Sequence, residues 1–322
     1  MFAAIPDGET LDIALGLAVR APSVHNTQPW RWRPTPTGIQ LFADPGRHLT
    51  ATDPYQRALI ISCGAALHHL RIALAAMNWS TSVEYCPDPA EPRHLATVHT
   101  APQRPTDAQI EQAAAILLRR TDRRRYLPRP VPAGHIRALA GQVCAYGAAV
   151  RQVPDSFLPR LAEPMRHAAE VHSADPVYQA EIARWSGPGR TADGVPSRNA
   201  PAPRRSDEVP VRSFAEPALL DPADRPDGAQ WLVVGTPRDD RRAQLRAGEA
   251  ISALLLTATG LGLATSLQTE PLGMLDSRRE IRTGLLHDCA YPQAMVRVGW
   301  ASGSAAPLAE TPRRPVSDVT AA

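Results

Sequence analysis

Two stretches carry polar side chains dense enough to do chemistry. The first runs from Ala21 to Trp30 and reads Ala-Pro-Ser-Val-His-Asn-Thr-Gln-Pro-Trp. Ser23, Asn26 and Gln28 stand between Pro22 and Pro29. Proline fixes the local backbone, which leaves neighbouring amides free to face a ligand. Asn and Gln offer both donors and acceptors. That suits the edge of a flat heterocycle on which carbonyls alternate with N–H groups. An ordinary helix-to-strand turn accounts for the same residues, and spacing alone does not separate the two readings.

The second stretch is Arg119-Arg-Thr-Asp-Arg-Arg-Arg125, five arginines in seven residues. Guanidinium groups bind a phosphate monoester bidentately, and a Thr hydroxyl adds a neutral donor. Arg119, Thr121 and Arg123 alternate, so in extended chain they point the same way. Cations at a helix C-terminus are favourable by about 0.3–1 kcal/mol each, which explains one or two arginines without a ligand but not five. A further basic pair, Arg313-Arg314, lies near the end. Other chemistry is absent. There is no Walker A sequence, no GxSxG, no CxxC, and no Cys/His spacing suited to zinc. Gly260-Leu-Gly-Leu follows a helix and lacks the third glycine of a dinucleotide fingerprint. His68-His69 and Cys63 fall where packing roles suffice.

Helices are predicted over 8–20, from the Asp53-Pro54 start to about Asn78, from the Thr106/Gln109 capping box, over 241–260 and over 275–284. Two or three more fill 132–186. Strands are expected at Trp30–Trp32, Ile39–Leu41, 81–85, 94–100, 231–235, 264–268 and 293–300. Between Gly187 and Gly228, 12 of 42 residues are Pro or Gly. A structureless stretch well beyond about 15 residues inside a compact protein reads as a lid, a binding loop or a disordered segment. Segments 63–85 and 247–269 are similar at a shift of 184 residues, with Gly64, Ala66, Leu70 and Thr81 meeting Gly248, Ala250, Leu254 and Thr265. Such a repeat suggests an internal duplication within an α+β chain.

The 322 residues include 35 Lys plus Arg, all of them Arg, against 32 Asp plus Glu, for a net charge of +3. That balance argues against nucleic-acid binding. The longest uncharged run, Ala250–Thr269, is broken by Gly, Ser and Thr, and reads as a buried helix entering a strand, not a membrane span. The first ten residues lack the pattern of a secretory signal. With four unpaired cysteines, a reducing, cytoplasmic setting is expected.

At these residues the chain resembles the FMN-dependent nitroreductases. "APSVHNTQPW" is similar to their APSxxNxQPW segment and "RRTDR" to their phosphate-binding RRSxR. "GEAISALLLTATGLGLATS" resembles their long central helix, and "RVGWA" and "PRRPVSDV" their closing strand and basic tail. In ordinary members RRSxR precedes APSxxNxQPW, whereas here it follows by about 100 residues. The inverted order, covering nearly the whole chain, resembles the Acg-type nitroreductase-like flavoproteins of actinobacteria.

The resemblance implies a nitroreductase-like α+β fold with a central mixed sheet and long core helices. It divides the chain into an N-terminal half (1–103) and a C-terminal half (104–322) that together imitate the family homodimer, so a monomer with one FMN site is expected. Arg119, Thr121, Arg123 and Arg313 or Arg314 would hold the FMN phosphate. Pro22, Ser23, Val24, Asn26 and Gln28 would lie at the ring, and Thr269 and Glu270 at the segment facing flavin N5. The implied activity is hydride transfer from NADPH or NADH through FMN to a small nitro- or quinone-like acceptor, with no catalytic side chain. The alternative is a protein that stores or sequesters FMN beneath a closed lid (187–228) without turnover.

Overall fold

The repeat takes the form of two sheets with the same plan. The computed structural model describes residues 5–204, 207–221, 226–303 and 305–320. After α1 (Gly8–Ala18) come β1 (Trp30–Thr35), β2 (Gly38–Ala43), α2 (Arg57–Ala76), β3 (Trp79–Tyr85) and β4 (His94–Pro102). Next are α3 (Asp107–Leu118), α4 (Ala133–Ala145), β5 (Ala149–Val153), α5 (Leu158–Ala174) and α6 (Pro176–Arg184). Two-residue strands β6 (Ser186–Gly187) and β7 (Val195–Pro196) pair in parallel. The chain then forms β8 (Gln230–Thr236), α7 (Arg241–Gly260), β9 (Ala264–Gln268), α8 (Leu275–Leu286), β10 (Tyr291–Gly299) and α9 (Val316–Val319).

The first sheet runs β1-β2-β4-β3 and the second β5-β8-β10-β9, with every neighbouring pair antiparallel. In each, a 20-residue helix (α2 or α7) leads from the second strand in position to the fourth. The α+β class stands as expected, but the single central mixed sheet does not: the strands divide into two antiparallel sheets. The reason is packing. α2 buries Leu59, Leu67, Leu70 and Leu74 with Trp30, Trp32, Ile39 and Leu41 of the first sheet. α7 buries Ile251, Leu254 and Leu255 with Leu232, Val234, Val296 and Val298 of the second.

α2 and α7 then pack on each other at glycines. A Cβ on Gly64 would stand 2.0 Å from the Leu245 carbonyl oxygen and 2.9 Å from Gly248 Cα. One on Gly248 would stand 2.1 Å from the Ile61 oxygen and 2.8 Å from Gly64 Cα. A turn further on, His68 Nδ1 lies 2.9 Å from Ser252 Oγ. Gly64 with Gly248 and His68 with Ser252 stand 184 residues apart, and the Gly64–Leu245 and Gly248–Ile61 contacts exchange under the same shift. α2 is apolar and long enough to cross a membrane, yet 83% of its most apolar window is buried inside the protein.

Three local expectations change. The second helix begins at Arg57, not at Pro54, although the Asp53 carboxylate still caps it by accepting the Leu59 amide at 2.8 Å. β5 falls inside a stretch read as helical; only five residues long, it is recognised through its pairing with β8. On α3 the spacing of Ile110, Ala114, Leu117 and Leu118 reads as one apolar face, yet Ile110, Leu117 and Leu118 are exposed. Ala113, Ala115 and Ile116 instead pack against Ile72 of α2 and Leu256 of α7, because the small alanines let three helices approach. At the C-terminus, Val319 joins the first core and Thr320 bridges Trp32 in parallel.

Candidate active site

The loop after α1 is bent sharply. His25, Asn26 and Gln28 all have left-handed backbones, with φ of 45°, 55° and 51°, a conformation uncommon for residues other than glycine. Hydroxyls hold it in place. Ser23 Oγ accepts the Gln28 amide at 3.0 Å, and Ser62 Oγ of α2 accepts the Val24 amide at 3.0 Å. Beneath the loop, Ala58, Ile61, Ser62 and Ala65 share one face of α2 at helical spacing. The small side chains of Ala58, Ser62 and Ala65 leave a cavity above them.

Pro22, Ser23, Val24 and His25 form one wall of this cavity, and Thr121 with Arg123 another. Ile251, Leu267, Gln268, Thr269 and Leu272 add a largely apolar floor. Val211, Arg212 and Phe214, from the Pro- and Gly-rich segment, stand over it. Ion pairs fasten that segment to the body: Asp193 to Arg47, Asp207 to Arg125, Asp227 to Arg297, and Arg212 to Glu270 at 3.8 Å. Arg123 donates to the Asn199 carbonyl at 3.0 Å and lies 5.0 Å from the Phe214 ring. Burial, aided by Arg212, pulls the Arg123 guanidinium down to about 10.

A smaller recess is lined by Arg20, Arg119, Arg120 and Arg313 with Ile116, Glu310 and Thr311. Arg20 pairs with Glu310. Arg119 is only 6% exposed, and its guanidinium makes no hydrogen bond or ion pair among the described residues. Burial beside Arg120, Arg20 and Arg123 lowers it to about 10. Arg313 is lowered to about 9 by burial and by Arg119, Arg20 and Arg120, and donates to the carbonyls of Thr311, Pro312 and Arg20. Cations crowded out of water without a counter-charge are costly. Thr121, two residues along from Arg119, lines the large cavity.

Eight of the residues singled out in the sequence therefore meet at these two spaces: Pro22, Ser23, Val24, Thr121, Arg123 and Thr269 at the cavity, and Arg119 and Arg313 at the recess. Four line neither. Asn26 Nδ2 donates to the carbonyls of Gly194 (3.1 Å) and Pro312 (3.0 Å). Gln28 donates to the Ala192 carbonyl and accepts the Arg314 amide at 2.8 Å. The Arg314 side chain lies 3.9 Å from Asp44 and donates to the Asp318 carbonyl. These three tie the overlying segment and the tail to the loop.

Glu270 accepts from Tyr178 at 3.0 Å and lies 3.1 Å from His172 Nδ1. Burial pushes its carboxyl up, but Arg212, His172 and Tyr178 outweigh that and hold it below its ordinary range.

His25, Ser62, Arg57, Arg212 and Phe214 line the cavity without having been singled out. His25 sat inside the quoted segment. Arg57 falls inside the helix read from Asp53-Pro54, and is buried against Asp239, the Pro292 carbonyl and Gln293. For Arg212 and Phe214 the sequence held no local signal.

No family model matches the chain. It is 47% identical over 317 residues to "Putative NAD(P)H nitroreductase Rv3131" of Mycobacterium tuberculosis, covering 98% of this chain and 92% of that protein. It is 37% identical to "Putative NAD(P)H nitroreductase acg" of the same organism, covering 97% and 95%. Among solved structures, the FMN-dependent nitroreductase NfnB of Mycobacterium smegmatis, in complex with NADPH, overlaps 67% of this chain and 99% of its own. That overlap has 17% identity and a TM-score of 0.41. On the near-complete overlap with Rv3131 and Acg, the chain belongs to the Acg-type nitroreductase family.

Proposed function

We propose that the chain binds one FMN and acts as an NAD(P)H-dependent oxidoreductase on small nitro- or quinone-like acceptors. The observation that carries this reading is the buried, partnerless Arg119 in an arginine-lined recess beside a cavity with an apolar floor. The fit is chemical: Glu310 pairs with Arg20 and leaves Arg119 without a counter-charge, and the cavity suits a planar ring. Arg119 and Arg313, with Arg20 and Arg120, would take the phosphate, and Thr121 and Arg123 the stretch between recess and ring. Pro22, Ser23, Val24, Ile61, Ala65, Leu267 and Thr269 would enclose the ring and keep water from it. Bound there, FMN supplies the hydride chemistry, accepting a hydride from NADPH or NADH and passing reducing equivalents on. The side chains bind, orient and desolvate, so no general acid or base is required of them.

One chain carries both halves (1–103 and 104–322) of what resembles a dimer, so we read the protein as a cytoplasmic monomer. The glycine crossing of α2 and α7 supports that reading, since residues 184 apart meet there. A second reading, storage or sequestration of FMN without turnover, is favoured by one observation: Val211, Arg212 and Phe214 stand over the cavity on a segment fastened by four ion pairs. An anaerobic absorption spectrum separates the two. Flavin bands that bleach on adding NADPH or NADH support the oxidoreductase. Bands that persist with both support storage. Failure to take up added FMN refutes both.

A further inference from the structure

His25 lies in the cavity wall with 5% of its surface exposed. Its Nε2 is in hydrogen-bond contact with Nη1 of Arg212, which stands over the cavity. A guanidinium can only donate, so Nε2 must accept and the ring proton must sit on Nδ1. A second proton on the ring is opposed by burial and by the charges of Arg212 and Arg123, which hold His25 well below its ordinary value. The Phe214 ring packs edge-on at 5.6 Å. Nδ1 itself is shut off from solvent and has no partner among the described residues. A buried N–H without an acceptor is rare in a folded protein. The ring lines the cavity, and the described residues supply no acceptor for that donor.

We propose that His25 donates a hydrogen bond from Nδ1–H to an exocyclic oxygen of the planar ligand in the cavity, and that Arg212 is the positioning residue that fixes this tautomer. The inference rests on reading the cavity as the ring site. Two ligands present the required oxygen: a ring carbonyl of the cofactor, or the nitro or quinone oxygen of the acceptor. Arg212 is steadied on its other side by Glu270, so the segment that covers the cavity also sets the donor inside it.

The test uses the full chain loaded with FMN. Imidazole ¹⁵N shifts of His25 should report the Nδ1–H tautomer, and Arg212→Leu should move them toward the Nε2–H form. An Nε2–H ring in the unaltered protein overturns the proposal, and this measurement needs no substitution at His25. His25→Leu removes the donor, whereas His25→Asn keeps a side-chain N–H and tolerates the left-handed backbone. If the cofactor carbonyl is the acceptor, His25→Leu weakens FMN binding at least tenfold, and His25→Asn recovers part of it. If the oxygen belongs to the acceptor, FMN binding is unchanged. The dissociation constant of 4-nitrobenzoate, read from its perturbation of the flavin spectrum, then rises at least tenfold. FMN uptake with neither quantity altered overturns the proposal alone, and where 4-nitrobenzoate does not bind, unaltered FMN affinity suffices to do so. If the unaltered protein takes up no FMN, the ring-site reading fails and this inference falls with it.

Discussion

Replacing Arg119 with methionine should move stability and cofactor affinity in opposite directions. The guanidinium is buried beside Arg20, Arg120 and Arg123 and has no counter-ion. Its fall from 12.5 to about 10 corresponds to roughly 3 kcal/mol of unfavourable charge burial, at about 1.4 kcal/mol for each pKa step. The sign is that of a depressed cation. Folding is opposed while the group is charged, and relief would come only as pH rises through about 10. Methionine gives that relief at neutral pH and keeps most of the apolar stem. Some of the gain is lost to imperfect packing, so the flavin-free protein should be stabilised by about 1–3 kcal/mol. With FMN the balance reverses. A charge-assisted bond to phosphate is worth about 1.5–3 kcal/mol, so affinity should fall roughly 10- to 150-fold. Urea unfolding of the flavin-free protein and fluorescence titration with FMN measure the two effects. Destabilisation by more than about 1 kcal/mol in the flavin-free protein would show that Arg119 is a structural residue, and the anion-recess argument would be wrong.

Other consequences follow from the same geometry. Gly64→Ala and Gly248→Ala should each destabilise by about 1–3 kcal/mol through overpacking at the helix crossing, despite the roughly 1 kcal/mol that alanine gains over glycine in a helix. Chemical denaturation should give similar values for the two, and a neutral result at either would contradict the close approach of the backbones. Asn26→Ala removes donors to the Gly194 and Pro312 carbonyls, so proteolysis within the 187–204 stretch should quicken, whereas unchanged cleavage would deny Asn26 that anchoring role. Glu270 is held below its ordinary 4.5, so its share of stability is complete above that value and lost as pH falls through the lower, folded one. Iodide quenching of bound flavin should therefore rise on acidification below about 4.5 in the unaltered protein and be already high in Glu270→Gln. Finally, flavin should bind at one per chain, and two per chain would break the single-site reading.

The elements with strong local signals were legible in the sequence. The Thr106/Gln109 capping box is formed as read, and α7 and β9 span the residues expected of them. β5 was not legible, because a five-residue strand is defined by its partner β8 and not by its own pattern. The same distinction runs through the site. Arg119 and Arg123 were found because arginines concentrate there beyond what a helix end needs. The side chains of Asn26 and Gln28 bind the 187–228 segment and the tail instead of the cavity, and Glu270 binds Tyr178 and His172 as well as facing Arg212. Arg212 reaches the cavity from a Pro- and Gly-rich stretch in which no periodicity says which residue turns inward. Contacts between residues nearly two hundred positions apart leave no local trace.

The 184-residue shift also relates the cavity lining to a second set of side chains. On the proposed duplication, the cavity-lining Ala58, Ser62, Ala65 and Thr269 correspond to Arg242, Arg246, Glu249 and Tyr85. Each of these four small side chains has a large one as its counterpart. Those large side chains fill the corresponding space with one another. Tyr85 donates to Glu249 at 2.7 Å, Arg71 pairs with Glu249 at 2.5 Å, and Arg242 and Arg246 lie over the Tyr85 ring at 5.5 and 5.8 Å. Arg71 in turn lies 5.6 Å from the Tyr146 ring. Burial drives the Glu249 carboxyl above its ordinary value even beside Arg71, so the cluster is built on a desolvated carboxyl with Arg242 at its exposed edge. Loss of a phosphate-binding segment alone would leave an empty ring pocket in the first half. Such a void would cost stability in proportion to its volume. Filling it with a paired carboxylate and stacked cations removes the void and fixes the asymmetry between halves, so the single site follows from side-chain volume as well as from which half carries the arginines.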